Sequence, residues 1–315
     1  MIPCHNHERL DKYMGIFKML GIPLGWLLKV IYMLVENYGI AIILFTLITK
    51  FLLFPLTLKQ QKSMAQTMLI KPKLDALQKQ YGDNREKFSE ESMKLYKKYG
   101  ISPFSGCLPL LIQFPIIIAL YYVIKEPLTY IWGVGEETVR QLCDANNIEF
   151  VKNGIHEITL TAKFAAESKP YAINYGLFGI DLSKQPTISQ INWLWSIPVL
   201  AGLTTWLSSK LMQVGTDKKK EEDNKPKRPP RPGEKNPNQT TNMMTNIMPV
   251  MTVWFAFMLP AGVGLYWIAS NIFQMGQQFA LNKYYVPKIK ERMAIENEQL
   301  DSARKGRKKP GRRNK

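Results

Sequence analysis

GIAIILFTLITKFLLFPLTL, residues Gly39 to Leu58, decides how this chain is read. These twenty residues carry one charge, Lys50, and thirteen Leu, Ile or Phe. At about 1.5 Å of rise per residue the stretch matches a hydrocarbon core of about 30 Å, which predicts a transmembrane helix with Lys50 near mid-depth. A lysine there costs roughly 2.5 to 3.5 kcal/mol, and each Leu, Ile or Phe returns roughly 0.3 to 0.6, so the span still inserts. A charge at that depth ordinarily faces protein or a watery cavity, which makes Lys50 the first candidate functional residue. The competing reading is a lysine that snorkels to the nearer headgroups.

Outward from this stretch, apolar runs recur, and the chain reads as an all-α polytopic membrane protein. Five spans are expected, at 39–58, 103–124, 191–211, 243–259 and 262–282. The slightly negative mean hydropathy reflects polar loops and a charged tail, since the membrane signal lies in windows rather than averages. The fourth and fifth spans are separated only by Pro260 and Ala261, because one helix of their summed length would overshoot the bilayer.

The net charge of +17 is unevenly placed. Residues 59–100 hold ten basic and five acidic residues, whereas 125–190 hold six and eight. Residues 212–242 hold eight Lys or Arg, and the tail from Lys283 holds twelve. The positive-inside rule puts the basic segments in the cytoplasm and the acidic one outside, with the N-terminus outside and the C-terminus inside.

Each connecting segment has its own composition. Residues 1–38 form an external N-terminus without a signal-peptide pattern, followed by an interfacial helix over Pro23 to Asn37 anchored by Trp26, with Lys29, Tyr32 and Glu36 on one face. A sixth span through residues 14–36 is the rival and would reverse the charge rule for every later loop. Residues 59–101 read as a cytoplasmic helical hairpin, its first helix kinked at Pro72, with Leu74, Leu77 and Tyr81 on an apolar stripe.

Residues 125–190 form an external loop with a small folded module. A short helix is expected over Glu136 to Asn146 and a β-hairpin around Asn153-Gly154, flanked by Ile148–Val151 and Ile155–Leu160. Residues 212–242, rich in Lys, Glu and Pro, read as a disordered cytoplasmic loop, and 283–315 as a basic cytoplasmic tail.

Cys4, Cys107 and Cys143 make no metal or redox spacing and read as free thiols, although Cys4 and Cys143, both expected on the outer side, leave a bridge open. His156 has no nucleophile pattern beside it and reads as a surface residue. No metal site, cofactor motif or catalytic constellation emerges, so the chain is not expected to be an enzyme.

Polar residues within the spans are the remaining candidates. Gln113 lies between Pro109 and Pro115, where it either satisfies freed carbonyls or lines a polar cavity. Thr204 and Ser208 share a helix face, as do Trp267, Asn271, Gln274 and Gln278 at i, i+4, i+7 and i+11. Such a stripe must face protein, water or a polar substrate.

The tail ends RKGRKKPGRRNK. Its basic residues Arg304, Lys305, Arg307, Lys308, Lys309, Arg312, Arg313 and Lys315 suit anionic lipid or nucleic acid phosphates.

Taken together, these residues resemble the YidC/Oxa1/Alb3 family of membrane protein insertases, in the five-span form found in Gram-positive bacteria. The resemblance lies in NYGIAIILFTLITKFLLFPLTLKQQKSM, IKPKLDALQKQYGD, EESMKLYKKYG, ISPFSGCLPLLIQFPI, LFGIDLS, GLTTWLSSKLMQ and MPVMTVWFAFMLPAGVGLYWIASNIFQMGQQFALNK, across most of Asn37 to Lys283.

It implies five spans around a hydrophilic groove open to the cytoplasm and lipid, in which a positive charge attracts acidic substrate segments. It implies as partners nascent membrane proteins, the ribosome through the basic tail, the Sec translocon and anionic lipids, with no cofactor. The expected groove holds Lys50, Gln113, Thr204, Ser208, Trp267, Asn271, Gln274 and Gln278.

Lys50 stands where the family usually has arginine, which keeps the charge but loses the five-donor fork. The family pattern also has a glutamine near Ser208, so that wall is less polar here. A rival class is a small-molecule or ion transporter with Lys50 as counter-ion. Such folds commonly show internal repeats, and none is visible here.

Overall fold

A computed structural model describes residues 5–81, 84–102, 108–151, 154–189, 191–213, 237–292 and 294–295. Helices α1 (His5–Val35), α2 (Tyr38–Leu52), α3 (Phe54–Tyr81), α4 (Arg85–Lys98) and α5 (Leu108–Lys125) form the first half. A π-helical turn, Leu128–Trp132, leads into α6 (Glu136–Ala145), α7 (His156–Ala166) and a two-residue antiparallel pair, β1 (Gly176–Leu177) with β2 (Ile180–Asp181). A 3-10 turn, Trp193–Trp195, then precedes α8 (Ser196–Gln213), α9 (Pro237–Met258) and α10 (Ala261–Tyr284).

The helix expected over Gly39 to Leu58 is broken. α2 stops at Leu52, and the chain bends by 69° into α3. Pro55 explains the break, because its ring has no N–H and clashes with the carbonyl four residues back, yet it fits the first turn of a new helix. Lys50 therefore sits in the last turn of α2, where the helix's free carbonyls favour a cation. The hairpin helix starts at Phe54 and runs through Pro72 to Tyr81, with Leu74, Leu77 and Tyr81 half-buried.

Among the described residues no single helix is long and apolar enough to cross a membrane. The bent pair Tyr38–Leu52 with Phe54–Thr67 passes that test together. α10 has 24 residues, about 36 Å at the α-helical rise, but its Asn, Ser and Gln lower its hydropathy.

Three further expectations give way. No strand forms at 155–160. His156 to Ala166 is a helix that buries Glu157, Leu160, Thr161 and Phe164 at helical spacing, so a period of 3.6 wins over the short alternation beside Asn153-Gly154. His156 is buried rather than on the surface, with its ring 4.5 Å from that of Phe150, and burial together with Lys125 holds its pKa down. α9 begins at Pro237, so residues 237–242 of the expected disordered loop are helical, with proline in the first turn. The short helix over Glu136–Ala145 is present, and its Cys143 is a free, buried thiol.

The apolar core gathers at the Tyr38 end of α2. Tyr38, Ala41, Ile42 and Phe45 pack against Leu28 and Ile31 of α1, Leu120 and Ile124 of α5, and Val263 and Tyr266 of α10. Side chains embedded in lipid gain little from leaving it, so packing there rests on close approach and dispersion. Gly25 provides such an approach, since a Cβ on it would lie 2.4 Å from the Tyr130 carbonyl oxygen. Gly202 provides another, where a Cβ would lie 2.3 Å from Val253 Cγ2 at the α8–α9 crossing.

A strap over residues 173–195 closes this end. Tyr38 N–H donates to Asn174 O (3.0 Å), Ala261 N–H to Lys184 O (2.9 Å) and Gly262 N–H to Leu182 O (3.1 Å). Helix N-termini leave such donors unpaired, so the strap carbonyls complete both α2 and α10. Below it, Glu157 is buried and accepts from Thr129 N (2.9 Å) and Thr129 Oγ1 (2.7 Å), tying α7 to the π turn. Burial pushes the Glu157 carboxyl pKa up, and the Thr129 hydrogen bonds pull it partly back.

Candidate functional site

At the other end of α2 the core turns polar. Lys50 is 8% exposed, and its Nζ donates to Gln113 Oε1 of α5 at 3.1 Å. Gln113 Nε2 donates in turn to the Tyr266 hydroxyl of α10 at 2.8 Å, and Ser270, one turn further along α10, is buried. An ammonium only donates, so Gln113 must offer it the amide oxygen, which turns the NH₂ toward Tyr266. The chain Lys50–Gln113–Tyr266 thereby has one direction and joins three helices.

No carboxylate pairs with Lys50 among the described residues. Its acceptor is neutral, so the charge is positioned but not cancelled. Thr46 and Thr49, buried about two turns and one turn from the break, spend their hydroxyl protons on the backbone oxygens of Ile42 (2.7 Å) and Phe45 (2.8 Å).

A second polar node joins α10 to α8. Asn271 Nδ2 donates to Thr205 Oγ1 (2.8 Å) and Thr204 Oγ1 (3.2 Å), while both threonines donate to backbone carbonyls of their own helix. Nearer the α10 C-terminus, buried Gln278 donates to Asn282 (2.8 Å), whose amide reaches Leu211 O (2.8 Å). Gln277 lies between Thr57 and Gln61 of α3, at 3.4 Å from each.

Lys50 and Gln113 are thus brought together, as are Thr204 and Asn271. Hydrogen bonds among the described residues do not join the Lys50 pair to Thr204, Ser208, Trp267, Asn271, Gln274 or Gln278. Ser208 is buried, and Trp267 and Gln274 are half-buried. The tail residues Arg304, Lys305, Arg307, Lys308, Lys309, Arg312, Arg313 and Lys315 lie outside the described residues.

Sequence reasoning overlooked Tyr266, Ser270 and Gln277. Their spacing of i, i+4 and i+11 is that of the chosen stripe moved back by one residue, a turn of about 100° around the helix. The stripe from Trp267 leads to α8, and the neighbouring one leads to α2, α3 and α5.

A bundle of mainly apolar helices, with a buried cation held by a neutral amide, defines a mostly helical protein built around a polar layer. A family model described as "60Kd inner membrane protein" matches residues 30–289. The chain belongs to this family, that of YidC and Oxa1.

Proteins named membrane protein insertase YidC are among its relatives. That of Aeromonas hydrophila is 31% identical over 277 residues, 87% of this chain and 38% of the relative. That of Mannheimia succiniciproducens is 32% identical over 273 residues, with the same two shares, 87% and 38%. That of Cellvibrio japonicus is 30% identical over 289 residues, 88% of this chain and 40% of the relative. The chain spans about two fifths of the length of these relatives. The transporter reading finds no support among them.

Proposed function

We propose that the chain is an insertase and chaperone of the bacterial plasma membrane, receiving hydrophilic segments of nascent membrane proteins in a polar groove and releasing their apolar spans into lipid. The observation that carries this is the buried Lys50 ammonium, held by a neutral amide at 3.1 Å and left without a carboxylate partner among the described residues. One of its three donors meets Gln113, and the others suit an arriving acidic group.

The strength of that capture fits a transient role. A carboxylate 4 Å from the ammonium gains about 1 kcal/mol in a fully watery groove and about 4 kcal/mol at an effective dielectric of about 20. Either value concentrates an acidic segment without trapping it. Transfer of the following apolar span into lipid then releases roughly 25 cal/mol per Å² of apolar surface. No bond is made or broken, so the mechanism needs no catalytic group.

In this reading α2 with the start of α3, then α5, α8, α9 and α10, are the five spans, with the strap outside and the α3–α4 hairpin and basic tail in the cytoplasm. α1 lies on the outer surface, where Met19, Ile22, Trp26, Val30 and Met33 form an exposed apolar stripe at helical spacing. Gln60 Nε2 and Gln61 Oε1, buried but without hydrogen-bond partners among the described residues, support a hydrated inner half. The polar wall combines Lys50, Gln113, Tyr266 and Ser270 with Thr204, Ser208, Trp267, Asn271, Gln274 and Gln278.

Complementation of an insertase-depleted bacterium tests the reading. Wild type and Lys50→Arg are expected to restore growth and insertion of a single-span protein with an acidic N-terminal tail, and Lys50→Ala is expected to fail for that substrate. Full rescue by Lys50→Ala across substrates would remove the charge-capture role. Deleting Arg304 to Lys315 is expected to weaken co-sedimentation with ribosomes, and unchanged binding would assign the tail to anionic lipid.

A further inference from the structure

The tip of the β1–β2 hairpin presents an aromatic ring where the backbone disfavours one. Leu177 pairs with Ile180, so Phe178 and Gly179 are the two turn residues. Their φ angles are 50° and 80°, both positive, as a type I′ hairpin turn requires. Glycine suits that region. The position before it ordinarily takes Asn, Asp or Gly, because a larger side chain crowds its own backbone at positive φ.

Phe178 nevertheless occupies it, and its side chain is 88% exposed. The ring therefore combines an unfavourable backbone with an unfavourable exposure, and packing within the chain returns almost nothing for either. A residue held in such a state points to something outside the chain.

The neighbouring strap repeats the pattern. Ile188 (72% exposed), Ile191 (84%) and Trp193 (71%) stand out on its way into α8, and β2 packs beside the 3-10 turn that carries Trp193. The exposed surface continues along α8 through Val199, Leu200 and Leu203. Trp195 is held differently, with its indole N–H on Thr187 O at 2.9 Å and its ring 5.0 Å from that of Phe257. The strap thus keeps one tryptophan for packing and turns another outward.

We infer that Phe178, with Ile188, Ile191 and Trp193, is a lipid anchor that dips into the outer leaflet and fixes the strap over the outer ends of α2 and α10. The occupant is lipid because the strap runs through exposed Ile191 and Trp193 into the exposed apolar flank of α8, with β2 packed beside the turn that carries Trp193, and because tryptophan with isoleucine and phenylalanine is the composition of a membrane interface. The inference rests on the membrane topology proposed above, but not on charge capture by Lys50.

The test is photo-crosslinking of the full chain in vesicles of phosphatidylethanolamine and phosphatidylglycerol. With p-benzoylphenylalanine at position 178 or 193, mass spectrometry is expected to find lipid adducts, as with the probe at Leu203, whereas the probe at exposed Ser168 is expected to give none. Lipid adducts at Leu203 but none at 178 would overturn the anchor, as would a protein adduct in its place when the 178 probe is activated in cells.

Phe178→Asn provides a second arm. It suits the turn, so its melting midpoint in detergent is expected to equal or exceed that of the wild type. A fall of several degrees would mean that the ring packs against its own chain, and would equally overturn the anchor. Loss of the anchor with intact Lys50 dependence in complementation would leave the insertase reading standing.

Discussion

The two ends of α2 lie about 20 Å apart along one helix, yet their surroundings are built on different principles. At the Tyr38 end, apolar side chains from four helices close around the axis, and backbone carbonyls of the strap satisfy the N-termini of α2 and α10. At the Lys50 end three of these helices, α2, α5 and α10, meet through side-chain hydrogen bonds, Lys50 to Gln113 and Gln113 to Tyr266. Dry packing gives the first end rigidity and a seal. The second end holds a cation with no carboxylate partner among the described residues, which is the feature the proposed receiving role needs.

The largest expected effect comes from erasing the difference at the inner end. Gln113→Glu sets a carboxylate beside Lys50 and cancels its charge internally. The variant is expected to accumulate in the membrane but to lose insertion of acidic-tailed substrates as completely as Lys50→Ala. Wild-type insertion by Gln113→Glu would break the contrast, since the uncancelled charge would no longer distinguish this half.

Next in size is a change at the sealed end. Gly25→Ala places a methyl 2.4 Å from a backbone carbonyl oxygen, which cannot rotate away. A loss of about 1 to 3 kcal/mol in stability is expected, read as a lower melting midpoint in detergent with Lys50-dependent insertion intact per folded molecule. An unchanged midpoint would show that the α1 packing is softer than the geometry indicates.

A smaller and opposite effect is expected from Tyr38→Phe. The Tyr38 hydroxyl is buried with no hydrogen-bond partner among the described residues, so removing it should leave stability equal or raise it by about 1 kcal/mol. A lower midpoint would sharpen the comparison by revealing a polar partner at the sealed end.

The smallest effect concerns Glu157 in α7. Burial raises the Glu157 pKa above the ordinary carboxylate value of 4.5, so the folded state holds its proton to higher pH than the unfolded state does. The associated stability is present at pH below about 4.5 and is lost as pH rises through the higher folded value. Wild type is therefore expected to gain on Glu157→Gln in melting midpoint as pH falls toward 5. A constant difference across that range would show that the Thr129 hydrogen bonds cancel the effect of burial.

Much of this was legible in the chain. Lys50 stood out because one charge among twenty residues is visible without any partner. Local composition also marked the Glu136 helix, whereas the apolar stripe of α1 emerged only from its exposure in the fold. The break at Leu53 was signalled by Pro55, but the unbroken hydropathy of Gly39 to Leu58 outweighed it in the reading. Asn153-Gly154 looked like a turn between strands because six residues fit a period of 2 or 3.6 equally well, and only Phe164 further on decides for the helix. On α10 the polar stripe was found, but the partner stripe one residue earlier was not, since Tyr266 and Ser270 seem unremarkable until a neighbour is set against them.

The sequence by itself determined the helical class, the uneven charge, the buried cation and the faces on which polar residues recur, because each follows from local composition and helical period. Only the tertiary structure decided which face meets which helix. Lys50 finds its acceptor 63 residues away and Gln113 finds Tyr266 153 residues away. Helix periodicity gives the angle between residues of one helix but not the rotation of that helix against another. That rotation is set by close packing at the Tyr38 end, and it turns a lone lysine into a charge positioned on a neutral acceptor.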